Sequence, residues 1–517
     1  MNFSSPTRAL ATSIAFLAIA TTAISDDGVY TYTGVVPTVS GDSFTSTTVP
    51  TWVTDSSRFT GTIWIKNTEI KGLDPNVFGN ASSTLKLSGV SGYFKDSGNA
   101  ALTCLPAIEL ANDSYSYGFY VNNGYSREGK DAASSSVPNI NRIIVINNLK
   151  GDGELWTGGS ADTVLMNVRN WSNFSGKIQL VNKIVVFGEY VPPYDEFNTV
   201  GAIYIGSGVT VSIPTGKQWR ADGGIYVHGI FKATDIGTNQ LRNGTTVVTY
   251  EDGTFVLTSS GDGVSTETDT DYSRITGLGT LKYEGTGWRA VSTNNFPTRM
   301  MLWNEQAGDL VLTVPGITYT VGGLKGSGKF QANFIYQSAA RNLRVQQAKD
   351  SEWSGTITVD TQNRFGTLFV APGVESTGTL TLSGTQTQRA TLAVETNALA
   401  NLTGTWVGPV MVDGSLGGNG TVTGDLTVTD GATLRTTALA VTGNATVTGA
   451  VDLRFPANTD LAHIQTILSA TGAIDISGAT FQVFIGDVPK SPSSYSVKVA
   501  SGRLIVTGSH GHRVIFR

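Results

Sequence analysis

The chain has 517 residues, among them 61 glycines, 16 prolines and one cysteine; charged residues make up 15% and the formal net charge is −5. So few charges, against about 25% in ordinary domains, with a slight acidic excess, give no electrostatic basis for binding nucleic acid or an anionic bilayer. Apolar residues at 40% in regular alternation exclude a disordered chain, and a lone cysteine excludes a disulfide framework.

Residues 1–25 read as a signal peptide. Arg8 supplies the positive start, Ala9 to Ala20 the apolar stretch, and Ala23-Ile24-Ser25 the small residues before the cleavage point. The mature chain is therefore expected outside the cell or on its surface. No later run is long and apolar enough to span a bilayer as a helix, so no integral membrane segment is expected in the mature chain.

From residue 26 to 410 the pattern is that of an irregular β-solenoid with loop excursions. Two phrases recur. The first is an apolar residue before Gly-x-Gly: LKGDGEL from Leu149, ITGLGTL from Ile275 and LKGSGKF from Leu324. The second is an aromatic residue, then Gly, then a strand: FTGTIWI from Phe59, FSGKIQL from Phe174 and WSGTITV from Trp353. The first phrase precedes the second by one or two rungs of roughly 20 to 25 residues. Glycine suits corners because it turns the backbone without a side chain in the way, while Val, Ile, Thr and Phe suit a pleated surface buried on one side. Phe174 and Trp353 hold equivalent positions and are expected to stack inward.

From 411 to 517 the rungs become regular and then close. Gly414 to Val451 reads GSLGGNGTVTGDLTVTDGATLRTTALAVTGNATVTGAV, short period-two segments each ended by a turn residue. HIQTILSATGAIDISGATF and SYSVKVASGRLIVTG follow as a C-terminal cap. The pairing of G-x-G-x-L with a later F/W-S-G-x-I, together with the Gly414 stretch, resembles the autotransporter-associated β-strand repeat of bacterial surface and secreted proteins. The fold expected is all-β: an elongated parallel β-helix or solenoid, right-handed. The resemblance implies a passenger-type domain. Family members continue into a membrane barrel, whereas this sequence ends at Arg517, which implies either another export route or a barrel on a separate chain.

Few residues announce chemistry. Cys104, in ALTCLPAIEL, is expected to be a buried structural thiol, since no nearby histidine would activate it. Glu267, Asp269 and Asp271 share one face of an extended strand and form a weak calcium candidate; an exposed strand that stays soluble explains them as well. Asp195-Glu196 reads as a turn. His228, His463 and the His510-Gly511-His512 pair lack metal-ligand spacing, and His228 reads as a solvent-facing strand residue. No catalytic residue, cofactor or metal is assigned. Aromatic residues are the better ligand contacts: Tyr115, Tyr117 and Tyr120 in the Tyr/Asn-rich YSYGFYVNNGYS, expected to loop out from the coil, with Trp156 and Trp288. Trp171, Trp219, Trp303, Trp353 and Trp406 also sit near strand ends, facing either solvent or the core.

The expected role is structural or adhesive display, an adhesin-like coil whose partners are glycans or host and matrix proteins. Two other readings stand beside it. One is a carbohydrate-active β-helix enzyme, a polysaccharide lyase or glycosidase, which needs carboxylates, or a carboxylate with Lys or Arg, converging on one sheet face across neighbouring rungs. The other is the passenger part of a split autotransporter.

Overall fold

The computed structural model of the protein describes residues 81–88, 102–111, 142–158, 202–213, 218–234, 244–259, 272–287, 297–314, 316–332, 340–358, 365–436 and 438–509, with shorter strand segments between these and back to residue 29. It falls into two compact units, Met1–Phe255 and Val256–Arg517. Each is a parallel β-solenoid. Among the described residues the only helical turns are the 3-10 segments Tyr272–Arg274 and Pro492–Ser494, and no helix is long and apolar enough to cross a membrane. Residues 1–25 lie outside the described residues.

In the first unit the chain visits its sheets in rotation. Leu149–Gly151, Glu154–Gly158 and Thr163–Val168 lie in three different sheets, and Asn173–Phe174, Lys177–Leu180 and Ile184–Val186 then add one strand to each in the same order. Every neighbour is parallel because each turn repeats the direction of the last. Lys177 pairs with Ala202 and Ile203 with Ile225, so a turn takes 25 and then 22 residues. Alternation decides what faces in: Ile203, Ile205, Ile225 and Val227 are fully buried, while Tyr204, Tyr226 and His228 point the other way. Trp219, Phe231 and Phe255 continue the core as a column of rings, with centroids 5.9 and 5.4 Å apart. Cys104 is buried in strand Leu102–Cys104, as expected.

The second unit winds more tightly toward its C-terminal end. Leu392 pairs with Val410, Val410 with Leu426 and Leu426 with Ala445, giving turns of 18, 16 and 19 residues. These are shorter than the 20 to 25 expected, because the corners shrink to turns of a few residues and leave room only for strands of three or four. The coil ends where pairing reverses. Gln465–Ala470 pairs antiparallel with Arg503–Gly508, which pairs antiparallel with Tyr495–Ala500.

The two recurring phrases turn out to be consecutive passages through one corner. Gly151 is in register with Phe174, and Gly326 bridges Trp353. Two residues further on, Gly153 lies against Gly176 and Gly328 against Gly355: a Cβ on Gly176 or Gly355 would come closer than 3.0 Å to the carbonyl oxygen of the glycine on the rung before. The column continues through Gly384, Gly404 and Gly420. The aromatic residue then occupies the interior beside the glycines, Phe174 at 0% and Trp353 at 1% exposure, so the inward reading holds for both. Asx side chains cap other corners. Asp425 accepts from the Asn444 amide at 2.8 Å, and the Asn444 side chain accepts from the Ala473 amide at 2.9 Å, each satisfying a donor on the next rung.

Candidate ligand-binding faces

Of the aromatic residues singled out from sequence, Tyr115 and Trp288 lie outside the described residues, as do the acidic trio Glu267, Asp269 and Asp271, and Asp195, His510 and His512. Tyr117 and Tyr120 do not loop out. Strand Tyr117–Tyr120 is a rung of the ladder, with Tyr117 in register with Leu155 and Tyr120 with Gly158. The period-two spacing Tyr-Gly-Phe-Tyr is compatible with a strand, and pairing to the next turn overrides the loop composition around it. Trp156 lies in strand Glu154–Gly158, between Gly118 and Gln179. Trp219 and Trp406 are buried, like Trp353, and are removed as contacts. Trp303 is half-exposed.

The first unit carries an outward aromatic strip. Tyr204 and Tyr226 are in register on successive rungs and stack with centroids 4.8 Å apart and planes at 13°. Two residues along, His228 stacks on Tyr250 at 3.9 Å and 9°, and its Nδ1 donates to Asp252 at 2.9 Å. Burial, then the neighbouring phenols of Tyr226 and Tyr250 and the charge of Glu154, raise the Tyr204 phenol above its ordinary range. The Tyr204 phenol thus stays a neutral hydroxyl, able to donate and accept, on a floor fixed by the strands. His228 faces solvent as the alternation predicts. The tyrosine stack was missed, although its signal is present: Ile203-Tyr204-Ile205 and Ile225-Tyr226-Val227 are the same phrase one turn apart.

The second unit carries a charged face around Trp303. Lys282, Trp303 and Lys325 are in register on three successive rungs. The ammonium groups lie over the indole, Lys282 Nζ at 4.4 Å and Lys325 Nζ at 3.9 Å from the ring. Two residues along each strand, Lys282 pairs with Glu284 at 2.9 Å, and Glu305 accepts from Trp303 Nε1 and from Ser327 Oγ, both at 2.7 Å. Burial works to raise the Glu305 carboxyl, but those hydrogen bonds and the charge of Lys282 outweigh it and hold the group below the usual carboxylate range. Burial, then repulsion from Lys282, lower the Lys325 ammonium, with Glu305 partly opposing. Sequence could not assemble this face, because its members are about a turn apart and share no phrase.

The interior of the second unit is also polar around Tyr283. Tyr283 donates to Tyr272 at 2.7 Å, and the Arg289 guanidinium lies 5.9 Å from the Tyr283 ring. Burial pushes both phenols up, Tyr283 well above its ordinary value. A raised folded-state value means the contribution is complete below the ordinary tyrosine pKa and is lost as pH rises toward the folded one. The melting temperature is therefore expected to hold up to about pH 9 and to fall above about pH 10. Alkaline thermal melts check this. In Tyr283→Phe the slope above pH 10 should flatten, and an unchanged slope would remove Tyr283 as its source.

Among the described residues no group of three or more His, Cys, Asp or Glu is arranged to hold a metal ion. No family model, curated protein or solved structure matches the chain.

Proposed function

We propose that the protein is exported and acts outside the cell as a display scaffold that binds carbohydrate through the strip Tyr204, Tyr226, His228 and Tyr250. The observation that carries this reading is the stacked, in-register aromatic array on an outward sheet face. Rings with polar tips pack against the apolar faces of sugars while their hydroxyls exchange hydrogen bonds. Strands hold the rings at fixed spacing, so little conformational entropy is lost when a ligand arrives. The signal-like start and the hydroxyl-rich, weakly charged sequence fit an extracellular surface, and several weak sites on one molecule would sum through multivalency.

Glycan-array binding of the purified chain, followed by titration of the best ligand, tests this. Tyr204→Ala/Tyr226→Ala is expected to weaken binding about tenfold or more with unchanged circular dichroism. An array without signal, or a double variant that binds like wild type, would remove the strip from the function.

The enzymatic reading keeps one observation in its favour: Glu284 and Glu305 share a face with Lys282 and Lys325. Glu305, held ionised by two donors, suits a fixed anion better than a proton donor. Release of reducing ends from a polysaccharide, lost in Glu305→Gln, would reverse that preference.

A further inference from the structure

We propose that the Lys282–Trp303–Lys325 face of the second unit is a separate binding site for an acidic glycan, a chain bearing carboxylate or sulfate groups. It goes beyond the tyrosine strip and is independent of it, since it lies in the other unit and selects a different ligand chemistry.

Lys325 is the centre of this face. Its ammonium sits 3.9 Å from the Trp303 ring and is only half-exposed, yet no carboxylate of the described residues lies within salt-bridge distance of it. Lys282, on the same indole at 4.4 Å, adds a like charge. Lys282 is matched by Glu284 at 2.9 Å. Glu305, the opposite charge that acts on Lys325, is instead held by Trp303 and Ser327. A partly desolvated cation beside another cation is unfavourable, and an incoming anion relieves that repulsion while forming a charge-assisted hydrogen bond.

The ladder also sets the ligand's shape. The strands of Lys282 and Lys325 stand two rungs apart, about 10 Å along the coil at the usual strand spacing, but both ammonium groups reach in over the indole between them, 4.4 and 3.9 Å from its ring, and so lie closer together than their strands; the bond to Glu305 locks the indole's orientation. Two cations held at one indole suit two acidic groups of a sugar chain, one engaging each ammonium. A single small anion would engage only one of the two lysines. A neutral sugar chain would leave Lys325 unmatched.

Calorimetric titration of the full chain with an oligogalacturonate, a sulfated heparin-derived oligosaccharide and a neutral cello-oligosaccharide tests the site and separates carboxylate from sulfate. At least one acidic oligosaccharide is expected to bind, more weakly as salt is raised, and the neutral one is not expected to bind at this face. Lys325→Ala is expected to weaken acidic binding about tenfold. Lys325→Arg, which keeps the charge and the ring contact, should stay within about threefold of wild type. Tyr204→Ala/Tyr226→Ala should leave acidic binding unchanged, which separates this site from the strip. Absence of binding to both acidic ligands would overturn the proposal, as would equal acidic binding by a Lys282→Ala/Lys325→Ala variant with wild-type circular dichroism and melting.

Discussion

Gly355→Val is expected to destabilise the second unit by about 3 kcal/mol or more, a large share of the roughly 5–15 kcal/mol that separates a folded domain from its unfolded chain. The cause is close approach. A Cβ at 355 would press on the Gly328 carbonyl oxygen of the rung before and on the Trp353 indole. Neither can retreat, because Gly328 is itself seated against Asn304 and Trp353 is buried with its Nε1 donating to the Gly328 carbonyl at 3.3 Å. Gly208→Ala supplies the contrast. Gly208 has φ of +78° and nothing within 4 Å of its would-be Cβ, so only backbone strain applies, about 1 kcal/mol. Urea unfolding of both variants measures the difference. Equal losses at the two positions would show that corner glycines matter for φ alone and that the column carries no packing constraint.

The second large effect is expected for Phe231→Ala in the first unit, a loss of about 3–5 kcal/mol. Phe231 is fully buried between Trp219 and Phe255, and the strands above and below are fixed by register, so the walls cannot collapse into the space left by the ring. Phe231→Leu keeps most of the volume and should lose less than about 2 kcal/mol. Denaturant midpoints at constant slope measure both. A loss below about 1 kcal/mol for the alanine variant would mean that the column relaxes freely, and the rung-to-rung rigidity argued for the binding faces would fall with it.

Both expectations rest on features that the chain spells out locally. Period-two alternation in Ile203-Tyr204-Ile205 or Leu426-Thr427-Val428 states which side chains face in, and the glycines after Leu149 and Leu324 state where the backbone turns. A solenoid can be read this way because each rung meets only its neighbours, so a short phrase already contains most of what its environment requires. The same logic placed Phe174, Trp353 and Cys104 inside. It failed at Tyr117–Tyr120, where Tyr/Asn-rich composition suggested a loop and pairing with Glu154–Gly158 made a strand.

The all-β solenoid, its corner glycines and the buried Phe174 and Trp353 were legible in the chain, since each depends on spacing within a few residues. Which outward side chains become neighbours is set by the winding of the coil. Turns such as those of 25 and 22 residues in one unit and of 16 to 19 in parts of the other set that register, and a one-residue change in any corner would shift it. Tyr204 therefore meets Tyr226, and Lys282 and Lys325 meet across Trp303, through the length of the intervening corners and not through any motif of their own.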